Sequence, residues 1–148
     1  MKISDILSTT KYKYEIIQHD RPILTREDGS KYLGIDVGQT APTLIIKTDK
    51  GFFALIISGS REKINFDQVA RTLNCKNAKL ASPKEVQKVT GFCVGSVALI
   101  GLNVPCLVDK SLFNFDYVYG GTGNSTSTLK ISPRALIELN SIVDLLNF

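Results

Sequence analysis

The chain carries one histidine, His19, in a His19-Asp20 pair that closes a β-type run. Imidazole changes charge near neutral pH, so His19 is the first candidate for proton transfer. The hydroxyl and thiol nearest to a glycine-rich stretch, Ser96 and Cys93, have no base beside them in sequence. A Ser or Cys nucleophile needs such a base, so covalent catalysis is not readable here. Cys75, Cys93 and Cys106 are widely spaced, with no C-x-x-C pair. They read as reduced thiols, and neither a metal nor a cofactor is expected. Backbone chemistry is the other resource. Gly120-Gly121-Thr122-Gly123-Asn124 strings together glycines that permit left-handed turns and nests of N–H donors, with Asn124 and Thr126 as added hydrogen-bonding groups. Gly91–Gly101 is similarly rich in glycine and small residues.

These groups must be held by ordinary elements. The spacing of Ile3, Ile6 and Leu7 predicts a short helix, and Tyr14-Glu15-Ile16-Ile17 a strand. Arg21-Pro22 interrupts the pattern, and Ile23-Leu24-Thr25 resumes it. Thr43–Thr48 and Phe52–Ser58 flank Asp49-Lys50-Gly51 as a hairpin. Both runs are nearly continuous in apolar character, which predicts cover on both faces. Ile64, Phe66, Val69, Ala70 and Leu73 recur at helical spacing. A further helix opens at Ser82-Pro83-Lys84-Glu85, a capping box with proline at its first position, and closes at Gly91. Val104–Val108, Tyr117–Tyr119 and Thr128–Ile131 read as strands. A last helix starts at Ser132-Pro133, with a stripe of Ala135, Leu136, Leu139, Ile142, Val143 and Leu146. The fold class expected is α/β (α+β): a mixed, largely antiparallel sheet surrounded by helices.

With 148 residues, one domain over residues 1–148 is expected. No apolar run approaches the roughly 20 residues that span a bilayer, and no signal peptide is evident, so cytoplasmic residence is expected. Eighteen Lys+Arg against 14 Asp+Glu give a net charge of +4. That mild excess permits contact with a polyanion without demanding it. Lys47, Lys50 and Arg61 lie about the hairpin and are candidates for phosphate contact.

The order of segments resembles the YbaK/prolyl-tRNA-editing family over nearly the whole chain. The resemblance is carried by residues 14–20, by Ala41-Pro42-Thr43-Leu44, and by Leu80-Ala81-Ser82-Pro83-Lys84-Glu85-Val86. It continues in Thr90-Gly91-Phe92-Cys93-Val94-Gly95-Ser96-Val97, in Pro105 to Asp109 and in the Gly120–Gly123 loop. The resemblance implies a mixed sheet with a pocket at one end. It implies hydrolysis of the ester joining a wrong amino acid to the terminal ribose of a tRNA, often tRNA-Pro. Mischarged tRNA is then the partner, with an aminoacyl-tRNA synthetase as a second.

Site residues follow from the same resemblance. The Gly95-Ser96-Val97-Ala98-Leu99 loop matches a Gly-x-x-x-Pro loop whose backbone amides hold the substrate carbonyl, so Gly95, Ser96 and Val97 take the catalytic role. Leu99 stands where the family has proline. His19, Thr43, Gly120, Gly121, Gly123 and Asn124 fall where the family lines its pocket. The family also carries a lysine at the strand start, where this chain has Pro42. Proline cannot take over that role, and Lys47 is the substitute to consider. Two functions follow: a free-standing deacylase acting in trans, or a non-catalytic module that binds tRNA or a synthetase.

Overall fold

The computed structural model describes residues 3–23 and 25–147. Its helices are α1 (Ile3–Leu7), α2 (Arg26–Leu33), α3 (Phe66–Thr72), α4 (Pro83–Thr90) and α5 (Arg134–Glu138). Its strands are β1 (Tyr14–Gln18), β2 (Thr43–Thr48), β3 (Gly51–Ile56), β4 (Ala78–Leu80), β5 (Cys106–Asp109), β6 (Val118–Gly121), β7 (Ser127–Ile131) and β8 (Ile142–Leu146). They form two sheets. The larger runs β4-β2-β3-β5-β8, antiparallel across β4-β2-β3 and parallel across β3-β5-β8. The smaller, β1-β7-β6, is wholly antiparallel.

The hairpin explains the layering. Side chains alternate along a strand, so an apolar residue at every position needs apolar cover on both sides. Ile45, Ala54 and Ile56 face the main core, which the smaller sheet and α5 complete through Leu129, Ile131 and Leu136. Ile46, Leu55 and Ile57 face a second core, closed by Val69 of α3 and by Leu73, the residue that follows it. The apolar segments therefore supply two cores and not one.

Two sequence expectations are corrected. The stripe read as one last helix splits in two: Ala135 and Leu136 belong to α5, whereas Ile142–Leu146 is β8, parallel to β5. Asn140 causes the break. Its Nδ2 donates to the Leu136 and Leu99 carbonyls at 3.1 and 3.0 Å, and its Oδ1 accepts from Leu102 N–H at 3.1 Å. An Asn side chain that takes a carbonyl of the last helical turn competes with helix continuation, and the β-branched Ile142-Val143 then favours a strand. The second correction concerns Thr25, read as strand. Its Oγ1 accepts from Asp28 N–H at 3.0 Å and caps α2, which ends in a left-handed Gly34. Leu24 lies outside the described residues.

Leu136 is fully buried. Leu136→Ala should lower the unfolding free energy by about 2–5 kcal/mol in urea titrations, the cost of a buried leucine truncated to a cavity. A loss under about 1 kcal/mol would contradict its placement in the main core.

Candidate active site

Two loops meet where the sheets join. α4 ends with Gly91 in the left-handed region (φ 80°), and the chain then turns at Cys93–Ser96. Ser96 N–H and Oγ both bond the Cys93 carbonyl, at 3.1 and 3.2 Å. Gly95, at φ 90°, sits inside that turn. Opposite it runs the end of β6. Leu99 N–H donates to Gly121 O at 2.9 Å, and a β-carbon on Gly121 would collide with the Val97 carbonyl oxygen. One on Gly120 would press on Leu99 and the Ala41 carbonyl. Glycine at both places is a packing requirement. Leu99, at the place of the family proline, has its side chain fully buried in the main core.

Two cavities flank this seam, of about 190 and 260 Å³, and Pro42, Gly95 and Gly121 line both. Similar volumes leave chemistry as the distinction. The first is polar at one end, where His19, Thr25, Arg26, Asn124, Ser127 and Thr128 contribute. The second is apolar, lined by Leu44, Ile45, Leu80, Pro83, Val86 and Val97. It holds one anomaly. Thr43 Oγ1 is buried and has no hydrogen-bond partner among the described residues. A buried hydroxyl left unpaired costs about 1–3 kcal/mol, so it marks a place where a ligand group gains a bond.

His19, Gly95, Ser96, Gly120, Gly121 and Asn124 line the first cavity, while Thr43 and Val97 line the second with Gly95 and Gly121. Lys47 and Gly123 line neither. Gly123 adopts φ 95°, and a β-carbon there would strike the Phe92 ring. Lys47 Nζ lies 2.7 Å from Glu85 Oε2 on α4. That hydrogen bond, with the Ser82 backbone N–H on the other oxygen, holds the Glu85 carboxyl down at about 2. Lys47 thus braces a helix. Sequence reading missed Thr25, Arg26 and Thr128 as lining residues. Arg26, which lines the first cavity, has its guanidinium engaged by the Arg61 carbonyl and by Glu27 Oε1.

Among the amides of the Gly95 loop, those of Ser96 and Leu99 are already committed. The Gly95, Val97 and Ala98 N–H groups have no hydrogen-bond partner among the described residues. Only unspent donors can stabilise a developing oxyanion, which narrows the set to Gly95 and Val97 among the lining residues.

His19 is buried against the first cavity. Its Nδ1 lies 2.6 Å from the Arg21 carbonyl and its Nε2 3.1 Å from Thr128 Oγ1. A carbonyl only accepts, so Nδ1 carries a proton and the lone pair of the neutral ring sits on Nε2, toward Thr128. The edge of Tyr32, 5.6 Å between ring centroids, fixes the ring plane. Cys106 is buried in the sheet, and burial pushes its thiol up to about 12, out of reach of nucleophilic work.

The rim of the first cavity is anchored from behind by Asp109, which is fully buried. Arg61 binds it in bidentate fashion at 2.9 and 3.1 Å, and the N–H groups of Ser58 and Ser111 add two bonds of 3.0 Å. Burial raises the Asp109 carboxyl, but these donors outweigh it and hold the group below the ordinary carboxylate value. Ser58 Oγ in turn reaches Gly38 O, and Gly59 N–H bonds Thr40 O, which places the Thr40–Pro42 wall. Arg61, expected as a phosphate contact, is spent in this clamp.

The chain matches the aminoacyl-tRNA editing domain family over residues 20–139. The proline–tRNA ligase of Caldicellulosiruptor bescii is 35% identical over 96 residues, 63% of this chain and 17% of that protein. That of Thermosipho melanesiensis is 23% identical over 129 residues, covering 86% and 23%. The chain spans about a fifth of the length of these curated relatives. Among solved structures, hypothetical protein APE2540 superposes with a TM-score of 0.89 at 26% identity, over 98% of this chain and 97% of that one. A candidate trans-editing enzyme for prolyl-tRNA synthetase shares the fold, with a TM-score of 0.79 at 23% identity over 88% and 85% of the two chains.

Asp109→Asn should destabilise the protein by about 3–5 kcal/mol, because it strands Arg61 beside a group that no longer bears charge. The carboxyl lies lower folded than unfolded. Its contribution is therefore full above the unfolded value of about 3.9 and is lost as pH falls through the folded one. Urea titrations from pH 7 to pH 3 should show that loss in the wild type and not in the variant; parallel curves would remove Asp109 as the anchor.

Proposed function

The chain belongs to the aminoacyl-tRNA editing domain family, and on that premise we propose that residues 1–148 act as one domain that hydrolyses, in trans, the ester of a mischarged tRNA. The observation that carries this reading is the shared wall. Gly95 and Gly121 border both cavities, so a substrate with one part in each would set its ester against the Gly95 loop. Ester hydrolysis places negative charge on the carbonyl oxygen in the transition state. Backbone donors fixed in advance stabilise that charge without reorganising, an effect worth about 10²–10³ in rate per donor. Gly95 N–H and Val97 N–H are the donors so placed.

The attacking water needs a base. His19 Nε2 faces Thr128 Oγ1 and not the open cavity, so a proton taken at that nitrogen passes through the hydroxyl. The ribose 2′-hydroxyl of the substrate then activates the water in this reading, which makes catalysis substrate-assisted. Pro42 supplies neither charge nor N–H at the wall, and Lys47 is held by Glu85, so turnover rests on the backbone and the substrate. The same observation supports the second reading, a non-catalytic module that binds tRNA or a synthetase. A panel of mischarged tRNAs incubated with the isolated chain, with release of free amino acid as the readout, separates the two.

For the deacylase, Gly95→Ala should lower the rate by on the order of 10²-fold. No atom lies within 4 Å of a β-carbon built at Gly95, so the penalty comes from the left-handed φ and not from crowding of protein atoms. Ser96→Ala should keep most activity, since Ser96 Oγ bonds only within its own turn. A severe Ser96→Ala defect with a mild Gly95→Ala one would overturn the backbone-donor mechanism. No deacylation of any charged tRNA by the wild type would favour the binding module.

A further inference from the structure

The two cavities differ most in what surrounds them. At the first, cations meet carboxylates: Arg21 pairs with Asp28 at 2.7 Å and Arg26 with Glu27 at 3.0 Å. At the second, lysines accumulate. Lys47 and Lys79 are cross-strand partners on β2 and β4, so they share a face of the sheet. Thr43 and Ile45 lie on that same face of β2 and line the cavity, and Lys47 is the next residue in the row. Glu85 ties α4 to Lys47, and helical spacing puts Lys84 and Lys88 within about 100° of Glu85 on the arc away from buried Val86. Lys50 and Lys76 stand at the hairpin tip, where the Asp49 carboxylate accepts the N–H groups of Lys76 and Asn77 at 2.8 and 3.3 Å.

All six lysines are exposed, and the carboxylates among them are Asp49 and Glu85, both spent on backbone N–H groups and Lys47. Exposed Leu80 and Val94, 52% and 58% accessible, stand at the mouth of the second cavity. Apolar side chains open to solvent at the mouth of an apolar cavity beside a cationic face suit one partner chemistry: a polyanionic strand whose terminal ring is inserted while its phosphates stay outside. The unpartnered Thr43 hydroxyl within gives that ring or its sugar a hydrogen bond.

We propose that the face made by β4, the β2–β3 turn and α4 is the docking surface for an RNA with a single-stranded 3′ end, and that the terminal nucleoside enters the second cavity between Leu80 and Val94. This rests on the reading of the substrate as an aminoacyl-RNA ester. It adds a direction: the aminoacyl group then crosses the Gly95–Gly121 wall into the first, more polar cavity.

The test uses the whole chain and an uncharged hairpin RNA with a single-stranded 3′-CCA end, followed by fluorescence anisotropy between about 50 and 200 mM salt. Lys84→Gln and Lys88→Gln should each weaken binding several-fold and lower the log–log salt slope by about 1, as for a lost phosphate contact. Lys31→Gln, on α2, and Lys130→Gln, on the smaller sheet, should leave both quantities unchanged. Leu80→Ala should weaken the overhang hairpin and not a blunt one. Thermal melting of each variant guards against misfolding. Equal losses from the Lys31 and Lys130 variants, or wild-type binding by the Lys84 and Lys88 variants, would overturn the docking face. Unaltered overhang binding by Leu80→Ala would overturn the insertion. If the hairpin binds as described but no charged tRNA is hydrolysed, the docking face stands and the deacylase reading falls. If the wild type does not bind the hairpin, the docking face falls, and the deacylase reading is decided by the mischarged-tRNA panel alone.

Discussion

The architecture turns on one close approach. Gly121 lies against the Val97 carbonyl so tightly that no side chain fits between them, and Leu99 N–H reaches across to Gly121 O. The hydrogen bond itself contributes only about 1 kcal/mol. What matters is that β6 of one sheet and the loop before β5 of the other meet through Gly120, Gly121, Val97 and Leu99. Space is left on either side of that contact, and those two spaces are the cavities.

That contact would be of little use if its surroundings were soft. The Thr40–Pro42 segment faces the seam from the strand side, and a buried carboxylate that lines neither cavity determines where it lies. Asp109 collects Arg61 and two backbone N–H groups, Ser58 passes the restraint to Gly38, and Gly59 passes it to Thr40. A buried charge with every lone pair engaged permits few alternative arrangements, whereas apolar packing alone tolerates sliding. On the opposite flank, the Lys47–Glu85 pair and the Ser82 cap hold α4, and with it the start of the Gly95 loop.

Local rules made much of this readable in advance. Ser82 and Glu85 form the reciprocal cap that their spacing announced, Gly91 ends the helix in the left-handed region, and the hairpin pairs Thr43 with Ile56 and Thr48 with Gly51. The Gly95 stretch was visible as a loop, whereas Gly120 and Gly121, read as loop, end strand β6 in register with Leu129 and Thr128 of β7, and the chain leaves the sheet only from Thr122 on; the family resemblance paired the two segments. The misses have long-range causes. Ile142–Leu146 fits a helical stripe as well as a strand, and only the bonds from Asn140 to Leu99 and Leu102, some forty residues away, decide the matter. His19 and Thr128 are 109 positions apart, so no local pattern could join them. Thr25 was different, because Thr25-Arg26-Glu27-Asp28 carries a recognisable cap with acids in its first turn, and that signal lost to the neighbouring Ile-Leu pair.

The short outer strands have a bearing on how this protein behaves in a crowded solution. A sheet ends in a row of unused donors and acceptors, and another chain can add itself there. β4 is three residues long and carries exposed Lys79 at its centre, β8 presents exposed Asp144, and β1 presents exposed Glu15. The remaining margin, β6, is partly covered by Thr40 and Ala41. Any second copy attempting strand addition meets a charge that it would have to strip of water. The lysine that lies in the path of a polyanion is thus also a gatekeeper against self-templated growth, and a substitution chosen to quieten one property would disturb the other.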